Sequence, residues 1–143
     1  MRRTSWRAVS LVMALGLALA SCSGPNRSDD PSSPSGFRIV LTANPNALRG
    51  ATPGSGEAQG SCAIITAKVF DVNGELVDGA VVTMTTNLGR FPGAAPGQEF
   101  IAVGGVTNRG ILTEVLCAKS ERGTAIVTAV VQDAAARVLI TIF

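Results

Sequence analysis

The amino-acid sequence predicts an all-β protein, an antiparallel β-sandwich of about seven strands. Residues 37–143 contain 32 Val, Ile and Thr residues against seven Leu. β-Branched side chains lose rotamer freedom in helices and pack well on a pleated sheet, so this composition favours strands. Turn-forming residues recur every eight to fifteen positions, which is typical of a sandwich. No segment of this region has a convincing helical period.

The first 21 residues have the pattern of a secretion signal. Arg2, Arg3 and Arg7 are followed by residues 8–20, which are apolar or small apart from one serine. Thirteen helical residues span about 20 Å, which is shorter than the roughly 30 Å hydrocarbon core of a bilayer. We therefore predict a signal peptide over residues 1–21 and not a membrane-spanning helix.

The end of this segment resembles the lipobox of bacterial lipoproteins, through Leu19, Ala20, Ser21 and Cys22. The resemblance implies cleavage before Cys22, acylation of its sulfur and hence a membrane partner. Two or three acyl chains are needed because a single chain binds membranes only marginally. In this family Ser23, next to the cysteine, points to the outer membrane. The alternative is ordinary cleavage nearby, which would leave Cys22 as a free thiol.

Residues 22–36 are predicted to be a lipidated cysteine and a disordered tether. Residues 23–36 contain three Pro, two Gly and five Ser, and no large apolar side chain. Such a segment cannot bury enough surface to offset the entropy of ordering it. Its root-mean-square span is roughly 20 Å, which would hold a domain just clear of the lipid headgroups.

One domain follows, residues 37–143, because this length allows a single domain and argues against two. Its predicted strands, in chain order, are residues 37–43, 62–70, 80–86, 99–103, 111–117, 124–131 and 136–143. Each strand is bounded by residues that favour turns.

Residues 69–84 read VFDVNGELVDGAVVTM. They resemble the V-x-D-x-N-G-x-x-V-x-G-x-x-V-x-F run of bacterial Ig-like domains of the intimin/invasin type. Residues 87–89, 107–111 and 123–129 resemble three further segments of the same domains, in the same order. The resemblance covers about residues 39–143 and implies an Ig-like sandwich.

The sequence departs from this family pattern in three places. Met84 replaces the usual Phe, and Glu114 stands where an apolar residue is common. Residues 50–60 read as an insertion in the first long loop. These departures affect the expected strand registers more than the expected fold.

Two cysteines, Cys62 and Cys117, remain after Cys22 is assigned to the lipid. In an oxidising compartment two such cysteines in one small domain usually pair. In an Ig-like sandwich the second and fifth predicted strands are antiparallel neighbours, which would place Ile64 opposite Val115 and the two cysteines side by side. We predict a cross-strand disulfide within one sheet; the alternative is two buried thiols.

The sequence predicts no metal or cofactor. Asp71, Asn73 and Asp78 suggest a calcium loop, but position twelve of an EF-hand loop requires a bidentate Glu and is Val82 here. We interpret this segment as a turn, in which the Asn73-Gly74 pair tolerates positive φ.

No enzyme class is predicted. The chain has no His, which excludes His-dependent triads and H-E-x-x-H metal sites. Its carboxylates are scattered along the sequence, without the aromatic residues that frame sugar-cleaving pairs. From residue 22 onward there are nine basic and ten acidic residues, without the basic clusters of nucleic-acid binding proteins.

The candidate contact loop contains Arg90 and Phe91, since an exposed Arg and Phe can anchor a partner. The alternative, which we favour, is that Phe91 folds back and covers the edge of the sandwich. The predicted function is a non-catalytic envelope lipoprotein that displays an Ig-like binding or structural module at the cell surface or in the periplasm, with a protein partner of unknown identity. The alternative function is an accessory subunit docked on a larger envelope or secretion complex.

Overall fold

The computed structural model describes residues 35–52 and 60–143. The predicted signal peptide, Cys22 and most of the predicted tether lie outside the described residues. Within these ranges every regular element is a strand, and no helix long and apolar enough to cross a bilayer is present. The strands are β1 (Arg38–Asn44), β2 (Ala47–Leu48), β3 (Cys62–Phe70), β4 (Val81–Thr86), β5 (Phe91–Pro92), β6 (Glu99–Phe100), β7 (Ala102–Val106), β8 (Ile111–Cys117), β9 (Gly123–Val131) and β10 (Ala134–Ile142).

The strands form two packed sheets. The three-stranded sheet has the order β1-β3-β8, and the five-stranded sheet has the order β2-β10-β9-β4-β7. β5 and β6 form a separate short hairpin. Every pairing is antiparallel except that of β2 with β10. Seven of the described strands have five or more residues, which confirms the predicted sandwich of about seven strands.

The structure differs from the predicted strand map at three places. The predicted strand 99–103 is divided by a bend at Ile101, and its second part continues to Val106 as β7. The two-residue strands β2 and β5 were not predicted, because two residues carry no detectable period. The predicted loop 132–135 is a tight turn at Gln132 and Asp133, so β10 begins earlier than predicted.

One side of the sandwich is closed and the other is open. The chain leaves β1 at Asn44-Pro45, whose peptide bond is cis, and continues as β2 in the other sheet. This segment therefore forms an edge of both sheets. On the opposite side the edge strands are β8 and β7, which do not pair with each other.

The core lies between the sheets and follows the period of two that strands impose. β3 and β9 each alternate buried and exposed side chains along most of their length. The largest fully buried side chains are Phe91, Leu48, Ile65, Met84, Leu116, Ile140, Val69, Val82 and Val127. Met84, a departure from the family pattern, thus occupies a core position, where its flexible thioether fills space that the usual Phe would occupy.

Glu114 lies on the inward side of the open edge. It is paired with Ile65 in the β3–β8 ladder and shares the inward side of β8 with Leu112 and Leu116, since alternate residues point to one face. Burial raises the pKa of the Glu114 carboxyl above its ordinary value. An inward-pointing charge discourages another strand from adding to an edge. This gives a structural reason for a Glu where the Ig-like pattern usually has an apolar residue.

We expect Glu114→Gln to remove a pH-dependent loss of stability. Because the folded-state pKa is raised, the folded protein binds this proton more tightly than the unfolded chain. The contribution of Glu114 to the free energy of unfolding is therefore largest below the ordinary pKa of 4.5 and falls as the pH rises through the raised folded value. In urea titrations across this window, the free energy of unfolding of Glu114→Gln should increase relative to that of the unsubstituted chain as the pH rises.

Glu121→Gln is the control, because Glu121 is exposed in a loop and its replacement also removes one carboxylate. If the free energies of unfolding of the two variants changed with pH in the same way, relative to that of the unsubstituted chain, the assignment of this pH dependence to Glu114 would be wrong.

Candidate functional site

The strand directions give the sandwich two ends. We call the end at which β1 starts the proximal end and the opposite end the distal end. The proximal end carries three turns, residues 71–80, 107–110 and 132–133. The distal end carries residues 118–122 and the two longest connections, residues 49–61 and 87–101.

The predicted tether joins the domain at the proximal end. The Ser35 backbone N–H donates to Asp133 Oδ2 at 3.0 Å, and the Ser35 hydroxyl donates to the other carboxylate oxygen of Asp133. Gly36 packs closely on the 71–80 turn, since a Cβ at this position would lie 2.1 Å from Val72 Cγ1. The segment through which the chain enters the domain, Ser35 and Gly36, is therefore held between two turns of the proximal end.

The Asp71 turn uses its oxygens internally. Asp71 Oδ1 accepts from the backbone N–H groups of Glu75 and Asn73, both at 2.9 Å. These hydrogen bonds, that of Glu75 foremost, hold the pKa of Asp71 below its ordinary value. Among the described residues, no group of three or more His, Cys, Asp or Glu side chains is placed to hold a metal ion. The arrangement is that of a turn in which the side chain caps its own backbone.

The predicted disulfide is confirmed at the distal end. Cys62 and Cys117 are bonded, with their Cα atoms 4.0 Å apart, and they are opposite each other in the β3–β8 ladder. Ile64 is opposite Val115, which confirms the predicted register. The bridge joins two strands of one sheet, as predicted.

The base of the 49–61 connection is held by backbone hydrogen bonds. Gly50 N–H donates to the Phe143 carbonyl at 2.9 Å, and Ala51 N–H donates to the Lys119 carbonyl at 3.0 Å. Gly60 N–H donates to the Ala118 carbonyl at 3.0 Å. A Cβ on Gly60 would lie 2.4 Å from the Arg49 carbonyl oxygen, so this close approach requires glycine. Residues 53–59 of the predicted insertion lie outside the described residues.

Phe91, in the candidate contact loop, is fully buried. The preceding residue, Arg90, exchanges two backbone hydrogen bonds with Cys117, at 2.8 and 2.9 Å. These bonds dock the hairpin on the distal end of β8 and direct the Phe91 ring into the core. The Arg90 guanidinium is half-buried and donates to the Gly89 carbonyl at 2.6 Å. Any contact made by this loop must therefore use side chains other than Phe91.

An open space of about 600 Å³ lies between Lys119 and residues 92–99, at the tip of the β5–β6 hairpin. We call this space the distal concavity. Most of its lining residues are Pro, Gly and Ala. Lys119 Nζ forms an ion pair with Glu99, which ties the hairpin to the 118–122 connection. The lining thus offers amide groups, small apolar groups and one paired carboxylate.

Several contacts that shape the distal end are not visible in the sequence. Lys119 and Glu99 are 20 residues apart, and nothing in their surroundings marks them as partners. The same holds for the Arg90 bridge to Cys117. By contrast, the pairing of Cys62 with Cys117 could be predicted, because cysteine chemistry and strand order both point to it.

No protein-family model matches the sequence. A comparison with curated proteins also gives no match. Among solved structures, the sandwich is similar to part of the adhesin InvE of Yersinia pseudotuberculosis, with a TM-score of 0.53 and 21% sequence identity. The similarity covers 73% of this chain and 26% of the InvE chain. It shows a shared fold and confirms the predicted Ig-like β-sandwich.

Removing the disulfide should destabilise the domain substantially. The bridge joins cysteines 55 residues apart, and closing such a loop in the unfolded chain corresponds to about 4 kcal/mol in the chain-entropy model. We expect the Cys62→Ser, Cys117→Ser double variant to lose up to this amount of unfolding free energy in urea titrations. Cys22→Ser, which changes a cysteine outside the described sandwich, is the control. An unchanged urea midpoint in the double variant would contradict a stabilising role for the bridge.

Proposed function

We propose that this chain is a non-catalytic lipoprotein of the bacterial cell envelope, anchored through Cys22 to the outer membrane. In this function the Ig-like module is a binding or structural element whose distal end points away from the lipid. The observation that supports it best is the placement of the two ends. Ser35 and Gly36 enter at the proximal end, whereas the disulfide and the two longest connections lie at the distal end.

The dimensions of the domain fit display of the distal end. β3 runs from the proximal to the distal end with nine residues, a length of about 30 Å. A tether of roughly 20 Å root-mean-square span would add to this distance from the lipid. The distal concavity would then stand about 50 Å from the membrane surface, beyond the headgroup layer.

The described charged side chains of the distal end are mostly basic. Its described basic residues are Arg49, Arg90, Lys119 and Arg122, and its acidic residues are Glu99 and Glu121. The only one of these carboxylates that lines the distal concavity, Glu99, is already paired with Lys119. The similarity to part of an adhesin is consistent with a module of this kind.

Lipid attachment is tested at Cys22. Cells that express the chain and are fed an alkyne analogue of palmitate should incorporate the label, and Cys22→Ser should abolish it, because the thiol is the acylated group. The Cys62→Ser, Cys117→Ser double variant is the matched control and should keep the label. Equal labelling of the Cys22→Ser variant and the unsubstituted chain would rule out the proposed anchor.

Use of the distal end is tested with the two lysines, Lys119 at the distal end and Lys68 on the outer face of β3. An amine-reactive crosslinker applied to intact cells should capture a partner through Lys119. Lys119→Arg should abolish the adduct while retaining the charge that faces Glu99, and Lys68→Arg should leave it in place.

The identity of the adduct separates the two functional hypotheses. A recurrent envelope protein captured through Lys119 would support the alternative of an accessory subunit. The absence of any adduct, together with removal of the domain from whole cells by added protease, would support a solitary module that faces outward. An adduct that depends on Lys68 alone would contradict a contact role for the distal end.

A further inference from the structure

The strand β7, at the open side of the sandwich, directs part of its backbone away from the sheet. The Thr107 N–H donates to the Ala80 carbonyl at 2.9 Å. At the other end of the strand the Ile101 carbonyl accepts from the Thr86 N–H, also at 2.9 Å. Odd-numbered residues of this strand therefore direct their backbone groups towards β4. Because successive residues of a strand direct these groups to opposite sides, the even-numbered residues direct theirs outward. They are Ala102, Gly104 and Val106.

We call the outward backbone of Ala102, Gly104 and Val106 the β7 edge. All three residues are exposed, and their backbone groups have no hydrogen-bond partner among the described residues. Each residue carries one N–H and one C=O, so donors and acceptors alternate along this edge. From Ala102 to Val106 the strand has no Pro and no charged side chain, the features that commonly protect an edge. The β7 edge is therefore able to pair with a further strand.

The neighbouring edge strand, β8, is largely closed by its own chain. Its first residue, Ile111, exchanges backbone hydrogen bonds with Asn108, and its last, Cys117, exchanges them with Arg90. Between these bridges only two residues of β8 direct backbone groups outward, which is short for a strand pairing. They are Thr113 and Val115. The edges of the closed side, β1 and β10, pack against each other.

The core is incompletely covered beside the β7 edge. Val103 and Gly105 point inward from β7 and are only half-buried. Leu112 and Glu114 point inward from β8 and are also half-buried. One strand further in, on β4, the inward side chain of Val82 is fully buried. A strip of the space between the sheets is therefore reachable from the open side.

Glu114 is the charged group of this strip. A Cβ on Gly105 would lie 2.6 Å from Leu112 Cδ1, so β8 lies over β7. Two residues further towards the distal end on both strands, Glu114 lies at the level of Val103. Its carboxylate has no hydrogen bond or ion pair with another described residue. An apolar strand added here would bury this carboxylate without a counter-charge, whereas a strand with a basic side chain would pair it.

We propose that the β7 edge binds an extended segment of another protein, which adds as an antiparallel strand and places a Lys or Arg beside Glu114. Alternating backbone donors and acceptors are matched by a second extended backbone, as in other cases of strand addition to a sheet. Antiparallel pairing is favoured because it is slightly more stable per residue than parallel pairing. The inference goes beyond the proposed function, since it depends neither on the lipid anchor nor on the distal end.

The register of this pairing specifies the sequence of the bound segment. Its residue opposite Val103 would lie on the inner face, in a strand about 4.8 Å from β7, where a long basic side chain reaches the Glu114 carboxylate. The residue two positions earlier would lie opposite Gly105, beside Leu112, and should be apolar. The residues opposite the β7 edge itself exchange main-chain hydrogen bonds and need only favour strands. The motif is therefore apolar, any strand-forming residue, basic.

A second copy of this chain fits the β7 edge less well. Two β7 strands paired antiparallel about Gly104 would set Val103 of each copy opposite Gly105 of the other. The inner face would then receive Val and Gly side chains, and Glu114 would gain no counter-charge. Charge complementarity therefore favours a different protein with a basic residue.

A short peptide tests the site. The probe is Thr-Val-Thr-Lys-Thr with blocked ends and an N-terminal fluorophore, whose Lys would oppose Val103 and whose Val would oppose Gly105. It is added to the full chain in micelles of an uncharged detergent. Fluorescence anisotropy should give a dissociation constant between about 10 µM and about 1 mM. In NMR spectra of the isotope-labelled chain, the amide signals of the β7 edge should shift most.

Two proline variants test the backbone pairing. Gly104→Pro removes the central N–H donor of the β7 edge and should weaken binding at least about tenfold. Proline is tolerated where the N–H of an edge strand faces solvent, so the fold should be retained. Thr113→Pro, which removes an outward N–H of β8, is the matched control and should leave the affinity unchanged.

The charge is tested independently of the backbone. Replacing the Lys of the probe by norleucine should weaken binding to the unsubstituted chain about fivefold, and binding to Glu114→Gln less than about twofold. Glu121→Gln, which removes an exposed loop carboxylate, should keep the full difference.

Four results would overturn the proposal. They are no anisotropy change up to about 1 mM peptide, equal weakening by Gly104→Pro and Thr113→Pro, a Lys preference that persists in Glu114→Gln, and NMR shifts confined to the distal end. Self-association of the chain that Gly104→Pro abolishes, without binding of the peptide, would show that a second copy covers the β7 edge and would also overturn it.

Discussion

The register between β3 and β8 is the constraint on which the rest of the structure depends. A slip of one residue in a ladder moves every side chain of the slipped strand to the opposite face of the sheet. With Cys62 opposite Cys117, Ala63 and Leu116 face the core, and Glu114 points inward at the open edge. The disulfide fixes this register covalently at the distal end of the two strands.

The loops of the distal end are held in place by this same pair of strands. The residue after Cys117, Ala118, accepts from Gly60, and Cys117 itself exchanges backbone hydrogen bonds with Arg90. Two long connections are thus docked on the end of one strand. The hairpin that carries Phe91 contributes its ring to the core, and only its tip remains free to form the distal concavity. The lining of this concavity therefore consists mostly of small side chains, with one lysine–glutamate pair.

The two ends and the open edge of the sandwich have separate physical roles. The proximal end secures the entry of the chain through Ser35 and Asp133, and the distal end presents loops. At the open edge the inward carboxylate of Glu114 opposes the addition of another strand to β8.

Much of this protein is determined locally in the sequence. The β-branched composition and the spacing of turns specify the strands, because alternation and turn chemistry act over a few residues. The disulfide between Cys62 and Cys117 could be predicted for a different reason, since the resemblance to Ig-like domains makes their two strands neighbours. What only the tertiary structure decides are contacts between segments far apart in the chain. The strand switch into β2, the division of the predicted strand at Ile101, the bridge from Arg90 to Cys117 and the ion pair of Lys119 with Glu99 belong to this class. Two residues of strand, or one pair of opposite charges, leave no periodic signal, and they become ordered only when the packed sheets bring their backbones together.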